Sequence, residues 1–166
     1  MWILARDSGG LDLNSPYAYL LAGHHFAETS VVAQGPSGDI VGYVLAYRPP
    51  SDLQTVFVWQ VTVHPSQRGS GIAQQMLNRV LDRAAALGAT TMTATVTPSN
   101  DASRRLFTSV ATARGAQIAE RPCFGADLFP EGHEPEHELV IGPIDTDQNT
   151  VPQNTVPQTT NRKDLP

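Results

Sequence analysis

The sequence predicts a mixed α/β domain of the α+β kind, a mostly antiparallel sheet of about six strands flanked by helices. Three observations carry this expectation. Runs rich in β-branched and aromatic residues at 29–33, 40–48 and 55–63 succeed one another without an intervening helical pattern, which reads as antiparallel neighbours. Two later segments, 71–87 and 101–113, carry apolar residues at helical spacing, and strand-like runs follow each of them. A chain of 166 residues with 40% apolar and 16% charged residues has globular composition and a length suited to one core.

In chain order, Ser15 followed by Pro16 opens a helix over about 16–26, because proline at the first helical position gives up an N–H that would be unpaired anyway. The runs 29–33 and 40–48 are joined by the Gly35-Pro36-Ser37-Gly38-Asp39 turn, and 55–63 supplies the third strand. Ile72, Ala73, Met76, Leu77, Val80, Leu81, Ala84 and Leu87 then recur at helical spacing, and Gly88 closes the run. Residues 91–97 read as a strand, 101–113 as a helix ended near Gly115, and 116–124 with 138–141 as the closing strands. The expected order is α, β, β, β, α, β, α, β, β.

Composition narrows the function. No apolar run approaches the ~20 residues that cross a bilayer, so a membrane partner is not expected. Residues 1–8 lack a basic region ahead of their apolar residues, so they do not read as a signal peptide, and the expected location is cytoplasmic. Cys123 is the sole cysteine, which excludes an intramolecular disulfide and any zinc site built on paired cysteines. The net charge is -5 and Lys163 is the only lysine, so a basic stripe for nucleic acid is missing and a small cationic ligand fits better. After Gly142 the composition changes: no aromatic residue follows, and Gln148-Asn149-Thr150-Val151-Pro152 recurs as Gln153-Asn154-Thr155-Val156-Pro157. The expected division is a folded domain over 1–142 and a disordered low-complexity tail over 143–166, since such a segment buries too little to offset its chain entropy.

The chemistry concentrates where 55–63 passes into the helix over 71–87. Val61-Thr62-Val63-His64-Pro65-Ser66-Gln67-Arg68-Gly69-Ser70-Gly71-Ile72-Ala73 runs from a strand through a glycine-containing turn to a helix start, an arrangement suited to an anion. Gly69 and Gly71 allow close backbone approach, and Arg68 can add a charged contact. A plain strand-to-helix turn is the alternative. The phosphate loop of nucleotide hydrolases does not fit, because no Gly-Lys-Ser/Thr occurs, and the dinucleotide fingerprint lacks its third glycine.

Gln67-Arg68-Gly69-Ser70-Gly71-Ile72-Ala73 resembles the Gln/Arg-x-x-Gly-x-Gly/Ala pyrophosphate loop of the GNAT superfamily of N-acetyltransferases. Asn100-Asp101-Ala102-Ser103-Arg104-Arg105-Leu106-Phe107 resembles the Asn-x-x-Ser-x-x-Leu-Tyr/Phe helix that follows the next strand in those enzymes. Within the superfamily, Asp12-Leu13-Asn14-Ser15-Pro16-Tyr17, Phe57 to Pro65 and Asp127-Leu128-Phe129-Pro130 are similar to the diaminobutyrate acetyltransferases of ectoine synthesis, and the likeness runs from about Trp2 to Ile141. The resemblance implies the GNAT fold, acetyl-coenzyme A as cosubstrate, a diamino acid acetylated on its γ-amine, a homodimer and no metal. Gln67 to Ala73, with Asn100 and Ser103, are the implied cofactor contacts. Val61, Thr62 and Val63 join them, with backbone groups of Val61 and Val63 offered to the pantetheine arm and one N–H to the thioester carbonyl. Two departures stand out. Residues 1–8 match the last turns of the usual first helix, so the strand that normally precedes it is missing from the pattern. Phe107 stands where many members have the tyrosine that reprotonates the departing thiolate.

An alkylamine with a pKa near 10.4 is only about one part in a few thousand neutral at pH 7, so the attacking amine must shed a proton and carboxylates near it have a task. Asp12 and Glu136 are the candidates for holding the two ammonium groups, against alternatives of a loop acid and a solvated charge. Trp59 can bound a slot for a short aliphatic amine and stack on its cation, or be core packing. Tyr17 can line the pocket or anchor an interface. His133-Glu134-Pro135-Glu136-His137 matches the His-Glu-x-x-His zinc pattern, but Pro135 argues against the helix that pattern needs, so no metal is expected. His133 can instead accept the amine proton, and Glu136 is the second candidate for that catalytic role. The rival readings are a GNAT enzyme for another amino acid or diamine, and a non-catalytic acyl-coenzyme A binder.

Overall fold

The structure is a computed structural model that describes residues 1–9, 11 and 13–144. Helices α1 (Trp2–Ser8) and α2 (Pro16–His25) lead into strands β1 (Val31–Gln34), β2 (Ile40–Tyr47) and β3 (Thr55–Val63). Helix α3 (Ile72–Ala86), strand β4 (Thr91–Val96), helix α4 (Asp101–Ala113) and strands β5 (Gln117–Phe124) and β6 (Glu136–Gly142) complete the order. The sequence signals act as expected: Ser15 Oγ accepts from the Ala18 N–H at 3.3 Å with Pro16 at the first helical position, and Asn100 Oδ1 accepts from the Ser103 N–H at 3.0 Å to open α4.

The six strands form one sheet in the order β1-β2-β3-β4-β6-β5, antiparallel except for β3 beside β4. Helices α3 and α4 cover one face, where Leu77, Val80, Leu81 and Val110 are wholly buried against Val44, Val56 and Met92. Burying each of the large side chains is worth about 1.5–3 kcal/mol. Helices α1 and α2 cover only part of the other face, over Tyr43 and Leu45.

Two irregularities shape the site. Leu45 pairs with Gln60 but the next pair is Ala46 with Val58, so Trp59 is an extra residue, a β-bulge in β3. The bulge reverses the alternation of side chains, and Val58 and Val61 therefore face the same helix-covered core. The parallel ladder between β3 and β4 runs only from Thr55–Thr91 to Val58–Ala94. Beyond it β3 stays with β2 as far as Val63 and β4 stays with β6 as far as Val96, so the two strands part and leave a gap at the centre of the sheet.

Several expected boundaries shift. Thr29 is buried, but its Oγ1 donates to the Ala46 carbonyl at 2.5 Å and strand pairing begins only at Val31. Strand β6 begins at Glu136 rather than 138, because Phe124 on β5 pairs with it. The expected domain boundary after Gly142 falls short of Ile144, which is 3% exposed in the main core and whose N–H donates to the Thr90 carbonyl at 2.8 Å. The low-complexity expectation for the remaining tail lies outside the described residues. Among the described residues no strand precedes α1, and β1 lies at the edge of the sheet with β2 as its one neighbour.

Candidate active site

Three adjoining cavities that share lining residues form a channel past the gap between β3 and β4. Its first section is lined by Gln67, Arg68, Gly69, Gly71, Ile72 and Ala73. It passes Val61, Thr62, Val63, Asn100 and Ser103 and opens into a cavity of about 640 Å³ at Trp59, Gln60, Thr95, Phe107, His133 and Glu136. Trp59, Thr95, His133 and Glu136 also border a cavity of about 760 Å³ on the half of the sheet that α1 and α2 leave uncovered. These volumes suit small ligands.

The first section is built by local chemistry. The His64 ring accepts from the Ser66 N–H at 3.3 Å, Pro65–Gln67 forms a single turn, and Ser70 Oγ donates to the Gln67 carbonyl at 2.5 Å. Gly69 (φ +76°) and Gly71 (φ +81°) hold left-handed conformations that other residues adopt only with strain. Gly71 opens α3 with no side chain capping it, which leaves the helix start for an anion. Arg68 ties this loop to its surroundings, its guanidinium donating to the Val63 carbonyl at 3.3 Å and the Ser8 carbonyl at 3.0 Å. Asn100, by contrast, has its side chain committed to capping α4.

At the far end, the His133 ring stacks on Phe129 with centroids 4.1 Å apart, and its Nδ1 lies 2.5 Å from the Glu134 carbonyl. A carbonyl only accepts, so Nδ1 is the donor in this contact. The Glu134 carboxylate accepts from the Ser99 hydroxyl at 2.6 Å and the Ser99 N–H at 3.2 Å, bonds that hold its pKa below the usual range. This ties the loop carrying His133 to the turn before α4. Glu136, at the first position of β6, is half-buried. Behind the cavity, buried Tyr43 donates to Gln60 Oε1 at 3.1 Å, and burial pushes the phenol's pKa well up, so it stays a donor.

The structure thus gathers Trp59, His133 and Glu136 at one cavity and strings the predicted cofactor residues along the channel, except that Ser70 acts by bracing the loop. Tyr17 is 66% exposed on α2 and is not among the side chains lining the channel. Asp12 lies outside the described residues. Of the zinc-like pattern, His133 is in a loop and His137 is on β6, bonded to Glu120 at 2.7 Å, so the helix that would align both rings does not form. Sequence reasoning missed Asn14, Gln60 and Thr95, which line the central cavity. Gln60 had a signal, a polar break in the apolar run 56–63.

The chain matches the acetyltransferase (GNAT) family over residues 3–111. It is 45% identical over 144 residues to the L-2,4-diaminobutyric acid acetyltransferase of Nocardia farcinica, covering 87% of this chain and 74% of that one. With the protein of the same name from Marinococcus halophilus the identity is 46% over 145 residues, 87% and 83% of the two chains. Among solved structures it resembles the diaminobutyrate acetyltransferase EctA from Paenibacillus lautus, in complex with its substrate L-2,4-diaminobutyric acid and coenzyme A. That likeness has a TM-score of 0.80 and 46% identity and covers 86% of each chain.

Proposed function

The chain belongs to the acetyltransferase (GNAT) family, and from that premise we propose that it transfers the acetyl group of acetyl-coenzyme A to the γ-amine of L-2,4-diaminobutyrate, giving the N-γ-acetyl product used in ectoine synthesis. The observation that carries this reading is the channel, which joins a glycine loop at the start of α3, through the β3–β4 gap, to a cavity bearing His133 and Glu136. Relatives named for this activity support it at close to half identity over most of the chain.

The residues divide the work as follows. The α3 start with Gly69, Gly71 and Arg68 holds the pyrophosphate, and the unpaired edge of β3 at Val61 and Val63 lies along the pantetheine arm. Trp59 bounds the amine slot, Glu136 holds an ammonium group with Asp12, and His133 accepts the proton that the attacking amine sheds. The neutral amine forms its bond to the thioester carbon, the oxyanion is held by an N–H of β3, and the C–S bond breaks to release the thiolate. Phe107 lines this cavity and cannot donate a proton, so the thiolate leaves without help from that position and takes its proton from another acid. The same reading includes a homodimer, supported by the apolar surface that α2 exposes at Tyr17 and Leu20, and a cytoplasmic location, where acetyl-coenzyme A is supplied. No helix among the described residues is long and apolar enough to cross a membrane.

Incubation with acetyl-coenzyme A and L-2,4-diaminobutyrate, with NMR to locate the acetyl group, tests the reaction, and a panel of other diamines tests the substrate. Cofactor binding without turnover on any amine would replace the enzyme reading by an acyl-coenzyme A binder. Sedimentation of the full chain tests the dimer.

A further inference from the structure

Diaminobutyrate carries a carboxylate as well as two ammonium groups, and nothing in the reaction itself calls for that carboxylate to be held. A site that selects the amino acid over a simple diamine must meet it with hydrogen-bond donors, of which a charged guanidinium is the strongest. The central cavity has no arginine or lysine in its lining, and the cavity on the uncovered face has one, Arg121.

Register places Arg121 well. Glu138 pairs with Thr95 on one side and with Arg121 on the other, so the three side chains form a row on one face of β4, β6 and β5. The row starts at the strand that borders the gap. From γ-nitrogen to carboxyl carbon an extended diaminobutyrate spans about 5 Å, four bonds of ordinary length, which is roughly one strand spacing of about 4.8 Å. An amine reacting at the β4 edge of the gap therefore lets the carboxylate reach past β4 toward β6. The Arg121 guanidinium already reaches β6, where its Nε and Nη2 both lie 2.6 Å from a single oxygen of Glu138. Its five donors exceed what one carboxylate oxygen uses, and the side chain is 67% exposed toward the cavity and solvent. Glu138, 16% exposed, orients the fork.

We propose that Arg121 is a specificity-determining residue that holds the substrate's α-carboxylate between β4 and β6, with Glu138 as its positioning residue, so that the site prefers a diamino acid to the corresponding diamine. The assignment rests on the diaminobutyrate reading above.

The test compares L-2,4-diaminobutyrate with 1,3-diaminopropane, which keeps the amine spacing and lacks the carboxylate, in the full chain and its Arg121→Gln and Arg121→Lys variants. Arg121→Gln should lower kcat/KM for diaminobutyrate by about 10- to 100-fold, mostly through KM, as loss of hydrogen bonds to a charged group does. Its kcat/KM for 1,3-diaminopropane and its affinity for acetyl-coenzyme A should stay within about twofold of the parent. Arg121→Lys, which keeps the charge without the fork, should retain part of the preference. An equal loss on both amines, or no loss on either, would overturn the assignment and leave Arg121 as a structural partner of Glu138. A parent enzyme active on 1,3-diaminopropane but inert toward diaminobutyrate would instead overturn the substrate reading, and the Arg121 assignment with it.

Discussion

A side chain at Gly71 meets no atom closer than Gln75 at 3.8 Å, so the glycine is required by its backbone angle rather than by crowding within the protein. Left-handed backbone costs an ordinary residue about 1–2 kcal/mol, so Gly71→Val should weaken acetyl-coenzyme A binding roughly tenfold or more. Arg68→Glu should weaken it too, by loosening the loop from Val63 and Ser8 and adding repulsion. Calorimetric titration with acetyl-coenzyme A measures both, and unchanged affinity in each would remove the loop from the site. Glu136→Gln should raise KM for the amine, and His133→Ala should lower kcat and flatten the rise of rate with pH, both with cofactor affinity intact. Normal steady-state kinetics in both variants would move the amine chemistry elsewhere. The Glu134–Ser99 tie has a defined pH window. Its carboxyl pKa is depressed in the folded state, so its contribution is present above the ordinary carboxylate range and is lost as pH falls through the depressed value. Melting curves should therefore separate Glu134→Gln from the parent at pH 6 and converge in acid. Residues such as the loop glycines were legible in the sequence because their spacing is local. The cross-strand meeting of Tyr43 with Gln60 was not, since it joins residues 17 apart.

Helices were the most legible elements, since α3 and α4 announce themselves by apolar spacing, a closing glycine and an Asn100 cap. The bulge at Trp59 was invisible, because a bulge is a property of two strands and the run 55–63 taken alone does not show it. Trp59 was singled out for its chemistry, and its partial exposure (38%) at two adjoining cavities follows from the irregular pairing. The width of the channel depends on α3 and α4 keeping their distance, and Arg114 fixes it near one end of the pair. From the end of α4 its guanidinium donates to the side chain and carbonyl of Asn78 at 2.7 and 2.8 Å and to Asp82 at 2.8 Å, all on α3. Arg114→Ala should cost about 1–3 kcal/mol in chemical denaturation and weaken cofactor binding without altering amine KM. A variant as stable as the parent would show that apolar packing alone sets the spacing.

For the whole molecule, the packed chain extends through Ile144, a residue the change of composition at Gly142 placed in the tail. Composition marks where apolar residues become rare, and it does not report that one more isoleucine turns inward. Truncation after Ile144 should leave folding and turnover near those of the full chain, whereas truncation after Gly142 removes a buried side chain and should cost about 2–5 kcal/mol, read as a lower midpoint in urea. The short seam between β3 and β4 has a broader meaning. It divides the sheet into a sequence-continuous β1-β2-β3 meander and a β4-β6-β5 half, joined edge to edge by four residue pairs. The seam is thus a fault line, and under the proposed function the cosubstrate lies in it and takes the place of the missing ladder. Backbone amides of β3 beyond Val58 that do not bond to β2 should exchange rapidly with deuterated solvent in the free protein and slow when acetyl-coenzyme A binds. At a hundredfold excess over Kd the bound form gains about 2.7 kcal/mol, which makes the enzyme most prone to come apart between turnovers, when the cleft stands empty.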